Sequence, residues 1–244
     1  MTFSQLIYLA VSFVILFCIG TLLCLWQAKW NARKFFHSSL WTKIMFWIPI
    51  FIVFLVVLII GAWAMLAVWL GIIIQAIKEW YVSQSKNRIT TAYLVLFLIS
   101  ATVAGLSLFI LPSVHATNLL IIICLASVLS DVLAYFFGTT FHKHALPTFI
   151  NPRKSWEGVA GQIIGAFVGL VIVLPIAPIP FALLFALIIG LGSALGDIAN
   201  SIAKRSIGIK DWGGTIPGHG GVLDRFSSLS VAFLLSVSAA LLLW

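Results

Sequence analysis

Acid is what this chain lacks. Six Asp and Glu residues serve 244 positions, charged residues make up 8%, and hydrophobic residues make up 62%. Soluble globular domains carry about a quarter charged residues. With a mean hydropathy of +1.18, the composition excludes a soluble enzyme or a soluble binding module. Lys and Arg outnumber the acids, giving a net charge of +8, but no basic face is long enough for nucleic acid, which is excluded as a partner. The basic residues read instead as topology signals, a few of them recruited to anionic substrates. Cysteine is scarce too. Cys18, Cys24 and Cys124 lie in apolar runs without paired or metal-type spacing, so they read as packing residues and say nothing of the redox compartment. Internal repeats, low-complexity tracts and linkers are missing, which points to one integrated membrane domain. The opening MTFSQ has no positive residue, so the first apolar run reads as a membrane anchor rather than a cleaved signal.

What is present is a set of long apolar runs between four basic clusters. These are Lys29, Arg33, Lys34 and Lys43; Lys78, Lys86 and Arg88; Lys143, Arg153 and Lys154; and Lys204, Arg205, Lys210 and Arg225. If cationic loops stay cytoplasmic, an even number of crossings separates neighbouring clusters. Spans of roughly 20 residues, enough for about 30 Å of hydrocarbon, fit at 5–26, 92–111, 117–138, 158–175, 180–203 and 227–244. The run 44–77 is long for one crossing and short for two. Parity favours a hairpin broken near Gly61, with spans 44–60 and 62–77; one long helix or a re-entrant segment is the alternative. The expectation is an all-α polytopic integral membrane bundle of about eight transmembrane helices, both termini on the non-cytoplasmic side. Residues 1–114 would be scaffold, and 115–244 the catalytic region.

Three of the six acids, Asp197, Asp211 and Asp224, fall in one polar stretch from Gly196 to Phe226. A carboxylate at membrane depth costs several kcal/mol unless paired or holding a cation. Ser193, Asp197, Asn200, Ser201 and Lys204 share one helical stripe, which predicts a polar face turned into the bundle, with Arg205 beside Lys204 at its mouth. Gly192 and Gly196 thin the same helix so that a neighbour or ligand can come close. Behind it lies KDWGGTIPGHGGVLDRF. Gly213, Gly214, Gly218, Gly220 and Gly221 suit a loop whose backbone N–H groups meet phosphates. Lys210, His219 and Arg225 supply cationic donors. Mg²⁺ is held by one or two carboxylates plus waters and phosphates, a need that Asp197 and Asp224 meet.

A second polar patch lies upstream. Ser127, Asp131, Tyr135 and Gly138 share a face of the fifth helix, and NPRKSWEG follows at 151–158. Asp131 reads as part of the active site, with a helix–helix hydrogen bond as its alternative. Arg153 and Lys154 are topology charges or belong to a folded loop that Trp156 and Glu157 complete. His142 and His144 read as solvated, His37 and His115 carry no signal, and Glu79 reads as an interfacial helix end.

These residues resemble the phosphatidate cytidylyltransferase (CDP-diacylglycerol synthase) family. Its C-terminal signature runs Ser, two residues, Lys-Arg, four residues, Lys-Asp, a Gly-containing turn, Pro-x-His-Gly-Gly, two residues, Asp-Arg. Here it reads SIAKRSIGIKDWGGTIPGHGGVLDR, from Ser201 to Arg225, with every spacing kept. AYFFG (Ala134–Gly138) and NPRKSWEG resemble two further family blocks in the right order. The resemblance implies that CTP and phosphatidate give CDP-diacylglycerol and pyrophosphate without a covalent protein intermediate. It implies Asp197 and Asp224 as Mg²⁺ ligands, with a second cation left open. Lys204, Arg205, Lys210, His219 and Arg225 then contact phosphate, and Asp131 is a supporting acid. Asp211, Gly218, Gly220, Gly221, Ser201 and Lys154 complete the substrate site. Membrane lipids are the other partners, and a homodimer is left open.

The chain departs from the family pattern at several positions. The family usually has Glu at Asn200, Asp at Ser227, Thr-Gly at Val132–Leu133, and a bulky apolar residue at Ala203. Two carboxylates are thus missing near the site, which leaves open a divergent paralogue acting on another lipid phosphate or lacking turnover. If those departures impaired the site, Asn200→Glu or Ser227→Asp should raise activity or lower the Mg²⁺ requirement; no change, or a loss, would mean that the site is rebuilt around neutral residues. An anion-coupled transporter is the rival from another class, although such proteins place matched motifs in two halves and here the motifs crowd one.

Overall fold

The computed structural model describes residues 3–27, 30, 35–36, 39–83, 86–111, 113–141, 143–151, 154–216 and 220–244. Their helices are α1 (Phe3–Gln27), α2 (Ser39–Ile60), α3 (Ala62–Val82), α4 (Arg88–Ile110), α5 (Ser113–Thr140), α6 (Trp156–Val173), α7 (Ala182–Ser206), the one-turn α8 (Val222–Arg225) and α9 (Ser227–Leu243). Six of these are long and apolar enough to cross a membrane, and the apolar stretches Ile44–Ile60 in α2 and Ser227–Leu243 are shorter. The eight expected spans are therefore all helical. The molecule is an integral membrane protein.

The run 44–77 breaks at Gly61, whose φ of +86° is open to glycine at little steric cost. Elsewhere the starts are set by capping. Asn87 accepts the Thr90 N–H at 2.8 Å while the Thr90 hydroxyl accepts the Asn87 N–H at 3.0 Å, a reciprocal capping box. Ser155 caps α6 by accepting the Gly158 N–H at 3.2 Å.

Helix α7 lies against α4, α5, α6 and α9 and carries the polar stripe through the middle of the bundle. Small residues allow this close contact, since helices in lipid gain little hydrophobic drive from one another. A Cβ on Gly161 or Gly169 of α6 would stand 2.8 Å from the Leu133 carbonyl oxygen and 2.5 Å from Ala126 Cα of α5. A Cβ on Gly192 of α7 would stand 2.8 Å from Ala232 Cα, and one on Gly196 would collide with the Ser227 carbonyl. The neighbour expected at Gly192 and Gly196 is therefore α9. The α6 glycines, spaced by four, carry the same message.

Hydrogen bonds gather the basic loops at one end. Asn87 donates to Ser206, Lys154 reaches Asp197, and Gln75 reaches Thr215. At the other end Gln5 and Tyr8 of α1 donate to the carbonyls of Ile176 and Ile172, and Trp244 packs on His115 and Phe185. Both ends of the described chain thus lie opposite the second, third and fourth basic clusters. Lys29, Arg33, Lys34 and the side chain of Lys43 lie outside the described residues. So do His37, His142 and Arg153.

Candidate active site

The α7 stripe faces inward as its spacing predicts. Ser193, Asn200 and Ser201 are buried, and Ser193 pairs with Ser127 of α5 at 3.1 Å. Asp197 keeps about a third of its side chain open and pairs with Lys154 at 2.5 Å. The same ammonium donates to the Asp197 carbonyl at 3.0 Å. Two turns further on, Lys204 pairs with Asp224 at 2.6 Å, with the Asp224 side chain only 2% exposed. The two acids expected to share a cation thus each hold a lysine of their own. Arg205 is exposed and donates to the Ile209 carbonyl at 3.1 Å, so its guanidinium covers the end of its own helix.

Lys154 arrives from a folded loop. Ala145 and Ser155 form an antiparallel bridge, the Leu146 N–H donates to the Lys154 carbonyl at 2.7 Å, and the Trp156 N–H donates to the His144 carbonyl at 2.9 Å. His144 is largely exposed, as a solvated histidine should be, yet its Nδ1 sits 2.6 Å from a Glu157 carboxylate oxygen. Asp131, open on one side, stands beside Asp197, Lys154, Gln162 and Ser228. The buried Gln162 side-chain nitrogen has no hydrogen-bond partner. The α5 stripe therefore splits: Ser127 is buried, Asp131 borders the Asp197–Lys154 pair, and Tyr135 is about half exposed.

The glycine turn is organised by carboxylates. Asp224 Oδ2 accepts the backbone N–H groups of Trp212 (2.8 Å) and Gly221 (2.9 Å), while its Oδ1 accepts from Lys204. Between them the Ile216 N–H closes on the Gly220 carbonyl at 2.9 Å, and Gly220 has φ of +84°. A Cβ on Gly220 would stand 3.0 Å from Asp224 Oδ2 and 3.4 Å from Asp211 Oδ1, placing Asp211 at the same corner. Lys210, Asp211 and Arg225 are exposed around it. Gly218 and His219 lie outside the described residues.

Two neutral residues stand where the family pattern has acids. Asn200 donates to the Ser227 hydroxyl at 3.3 Å and accepts the Trp212 indole N–H at 2.8 Å. They are 2% and 1% exposed, so the neighbourhood is satisfied without charge. Asn200→Glu is therefore expected to lower activity rather than raise it. A new carboxylate there would face Trp212 and Ser227 while Lys204, one turn on, is already paired with Asp224, and burying a charge without a cation of its own costs several kcal/mol. A purified Asn200→Glu chain with a raised turnover rate would overturn this.

The sequence reading missed two residues, both from the first 114. Tyr93 of α4 stacks on Trp212 at 5.8 Å and donates to the Leu223 carbonyl at 3.0 Å. Glu79 is not an interfacial helix end: it is 5% exposed and binds the turn. Its Oε1 accepts from Val222 N–H (2.8 Å) and the Thr215 hydroxyl (2.7 Å), and its Oε2 accepts from Leu223 N–H (3.0 Å). A signal existed. The buried face of α3 is Met65, Trp69, Ile72, Ala76 and Glu79, and the acid continues that stripe at alternating steps of four and three. A glutamate on the apolar stripe of a helix needs buried donors.

The profile described as "Cytidylyltransferase family" matches residues 1–243. The chain belongs to that family. Among similar proteins of this cytidylyltransferase group, a Mycobacterium tuberculosis (strain ATCC 25618 / H37Rv) protein named phosphatidate cytidylyltransferase is 40% identical over 109 residues, covering 43% of this chain and 33% of that one. A Staphylococcus saprophyticus protein of the same name is 32% identical over 154 residues, covering 61% and 59%. One from Haemophilus influenzae is 38% identical over 127 residues, covering 48% and 44%. The chain thus spans about a third to three fifths of the length of the curated relatives it matches.

Proposed function

We propose that this protein transfers a cytidylyl group from CTP to phosphatidate, giving CDP-diacylglycerol and pyrophosphate, in phospholipid biosynthesis. The observation that carries the reading is the match of a cytidylyltransferase profile along residues 1–243, whose spaced Lys204 and Asp224 are in contact beneath the glycine turn. A phosphate oxygen of the lipid attacks the α-phosphorus of CTP, and the bond from that phosphorus to the bridging oxygen of the departing pyrophosphate breaks. The protein's part is positioning and electrostatics. Lys204, Lys210, Arg225 and the turn would meet the nucleotide phosphates. Lys154, at the open side of the bundle, would meet the lipid phosphate, with Asp131 beside it as a supporting acid.

Asp197 and Asp224 are the residues that would hold a divalent cation, each from its own lysine pair. An ionised carboxylate has about four lone-pair sites; Asp224 uses three, on Lys204, Trp212 and Gly221. Asp197 Oδ1 is not engaged by Lys154, which pairs with Oδ2. Each could give one oxygen to Mg²⁺, which when bound offsets charge on the phosphates. We place the basic end in the cytoplasm, where CTP is found, and the protein in a bacterial inner membrane.

The test is direct. Purified chain incubated with labelled CTP, phosphatidic acid and Mg²⁺ should give CDP-lipid and pyrophosphate in equal amounts. Absence of CDP-lipid with every divalent ion tried would end the proposal and leave the non-catalytic paralogue.

A further inference from the structure

Glu79 and Asp224 grip the same turn from two sides. Asp224 joins its two edges by accepting from Trp212 and Gly221. Glu79, from α3, accepts from Thr215 before the tip and from Val222 and Leu223 after it. Gly221 has no room for a side chain because a Cβ would run into the Glu79 carboxylate, and a Cβ on Gly213 would stand 3.5 Å from Glu79 Cγ. Gln75, one helical turn before Glu79, adds a hydrogen bond of 2.8 Å to Thr215. Gly221 is thus shaped to a carboxylate of the protein itself, while Gly213 only lies in ordinary contact with it.

The division of labour follows from what each acid can give up. Asp224 is also paired with Lys204, so any turn of its carboxylate towards a nucleotide-bound cation weakens its hold on Trp212 and Gly221. Glu79 lies behind the turn, buried, and its contacts need not change. We propose that Glu79 is a positioning residue for the nucleotide, holding the glycine turn in place so that Asp224 and Lys204 are free to engage CTP; this rests on the cytidylyltransfer reading above. The residue acts through the turn and touches no reacting atom.

The experiment uses the full chain with Glu79→Gln. The amide keeps the shape but offers one acceptor oxygen where Val222 and Leu223 need two, leaving one buried N–H facing an NH₂ group. Without substrate, hydrogen exchange at the Val222 and Leu223 amides should accelerate about tenfold or more, the equivalent of one lost buried hydrogen bond. In turnover, KM for CTP should rise by a similar factor of about ten while KM for phosphatidate stays within about twofold. Wild-type exchange at those amides, a fall in kcat with both KM values unchanged, or an equal rise for both substrates would overturn the proposal. Should Glu79→Gln yield no folded chain, Thr215→Val removes the hydroxyl at the exposed edge, which donates to Glu79 and accepts from Gln75. It should raise KM for CTP in the same direction, and an unchanged value would overturn the idea. A wild-type chain that makes no CDP-lipid sinks the reaction assignment instead, and the exchange measurement still decides the clamp.

Discussion

Asp224→Asn is expected to lower CDP-lipid formation by at least about 100-fold, the usual cost of removing one electrostatic contributor to a phosphoryl or acyl centre. The sequence alone suggests that folding and membrane insertion would stay intact. The geometry argues otherwise. Asp224 is almost fully buried and takes three donors, one of them the Lys204 ammonium, whose side chain is 14% exposed. An asparagine cannot accept at both positions. Either its NH₂ faces the ammonium or it faces the N–H groups of Trp212 and Gly221. Breaking a buried pair by removing one partner costs about 3–5 kcal/mol, so thermal stability should fall together with activity. A double change separates the two roles. With Lys204→Gln alongside Asp224→Asn, the new glutamine oxygen can accept from the asparagine NH₂, and most of the stability should return while activity does not. Unfolding in detergent and product formation should be measured on the same preparations. A single variant with full activity would take Asp224 out of the chemistry. A double variant as unstable as the single one would show that the ion pair is not what the fold loses.

How far the sequence leads depends on the range of the interaction. The spans were legible because a helix in lipid must satisfy every backbone group internally, so length and hydropathy suffice; the even number of crossings and the break near Gly61 follow from a second rule, that cationic loops stay on one side. The α7 stripe was legible for a related reason: Ser193, Asp197, Asn200, Ser201 and Lys204 are spaced by threes and fours on a single helix. Pairings between helices were not. Nothing in the spacing says that Lys154, from a loop 43 positions earlier, takes Asp197 and leaves Lys204 to Asp224. Glu79 was misread for want of the same information. Its partners at Thr215, Val222 and Leu223 lie more than 130 positions away, and only its place on the buried stripe of α3 hints at them. The glycine spacing suits phosphate, yet the close approaches at Gly220 and Gly221 are to Asp224, Asp211 and Glu79. A glycine reports that something comes near, not what.

Asn200 and Ser227 show how a site can lose charge and stay ordered. The two residues face each other between α7 and α9, with the Trp212 indole closing the third side. This arrangement exists only because the two helices touch at Gly196, which makes Gly196→Ala the second change with a large expected effect. The added methyl would collide with the Ser227 carbonyl oxygen, 2.8 Å from its carbon and 3.1 Å from Ser228 Cα. Backbone cannot give way as a flexible side chain can, so α7 and α9 must part. Overpacking of this kind costs about 1–3 kcal/mol. The Asn200–Ser227 bond, at 3.3 Å already long, would be lost first, and with it the seat of Trp212, whose backbone N–H donates to Asp224. Activity per folded molecule should therefore fall by about tenfold beyond any loss of yield, a factor worth about 1.4 kcal/mol of transition-state stabilisation. Two controls bracket the result. Gly71→Ala adds a methyl into open space on α3 and should leave activity alone, with a helix gain of about 0.5–1 kcal/mol. Gly192→Ala meets Ala232 Cα at 2.8 Å, one turn further from Asn200; it should destabilise the bundle about as much while sparing turnover in the molecules that fold. If Gly192→Ala and Gly196→Ala lose activity per folded molecule equally, the contact at Gly196 serves the bundle as a whole and not the seat of Trp212.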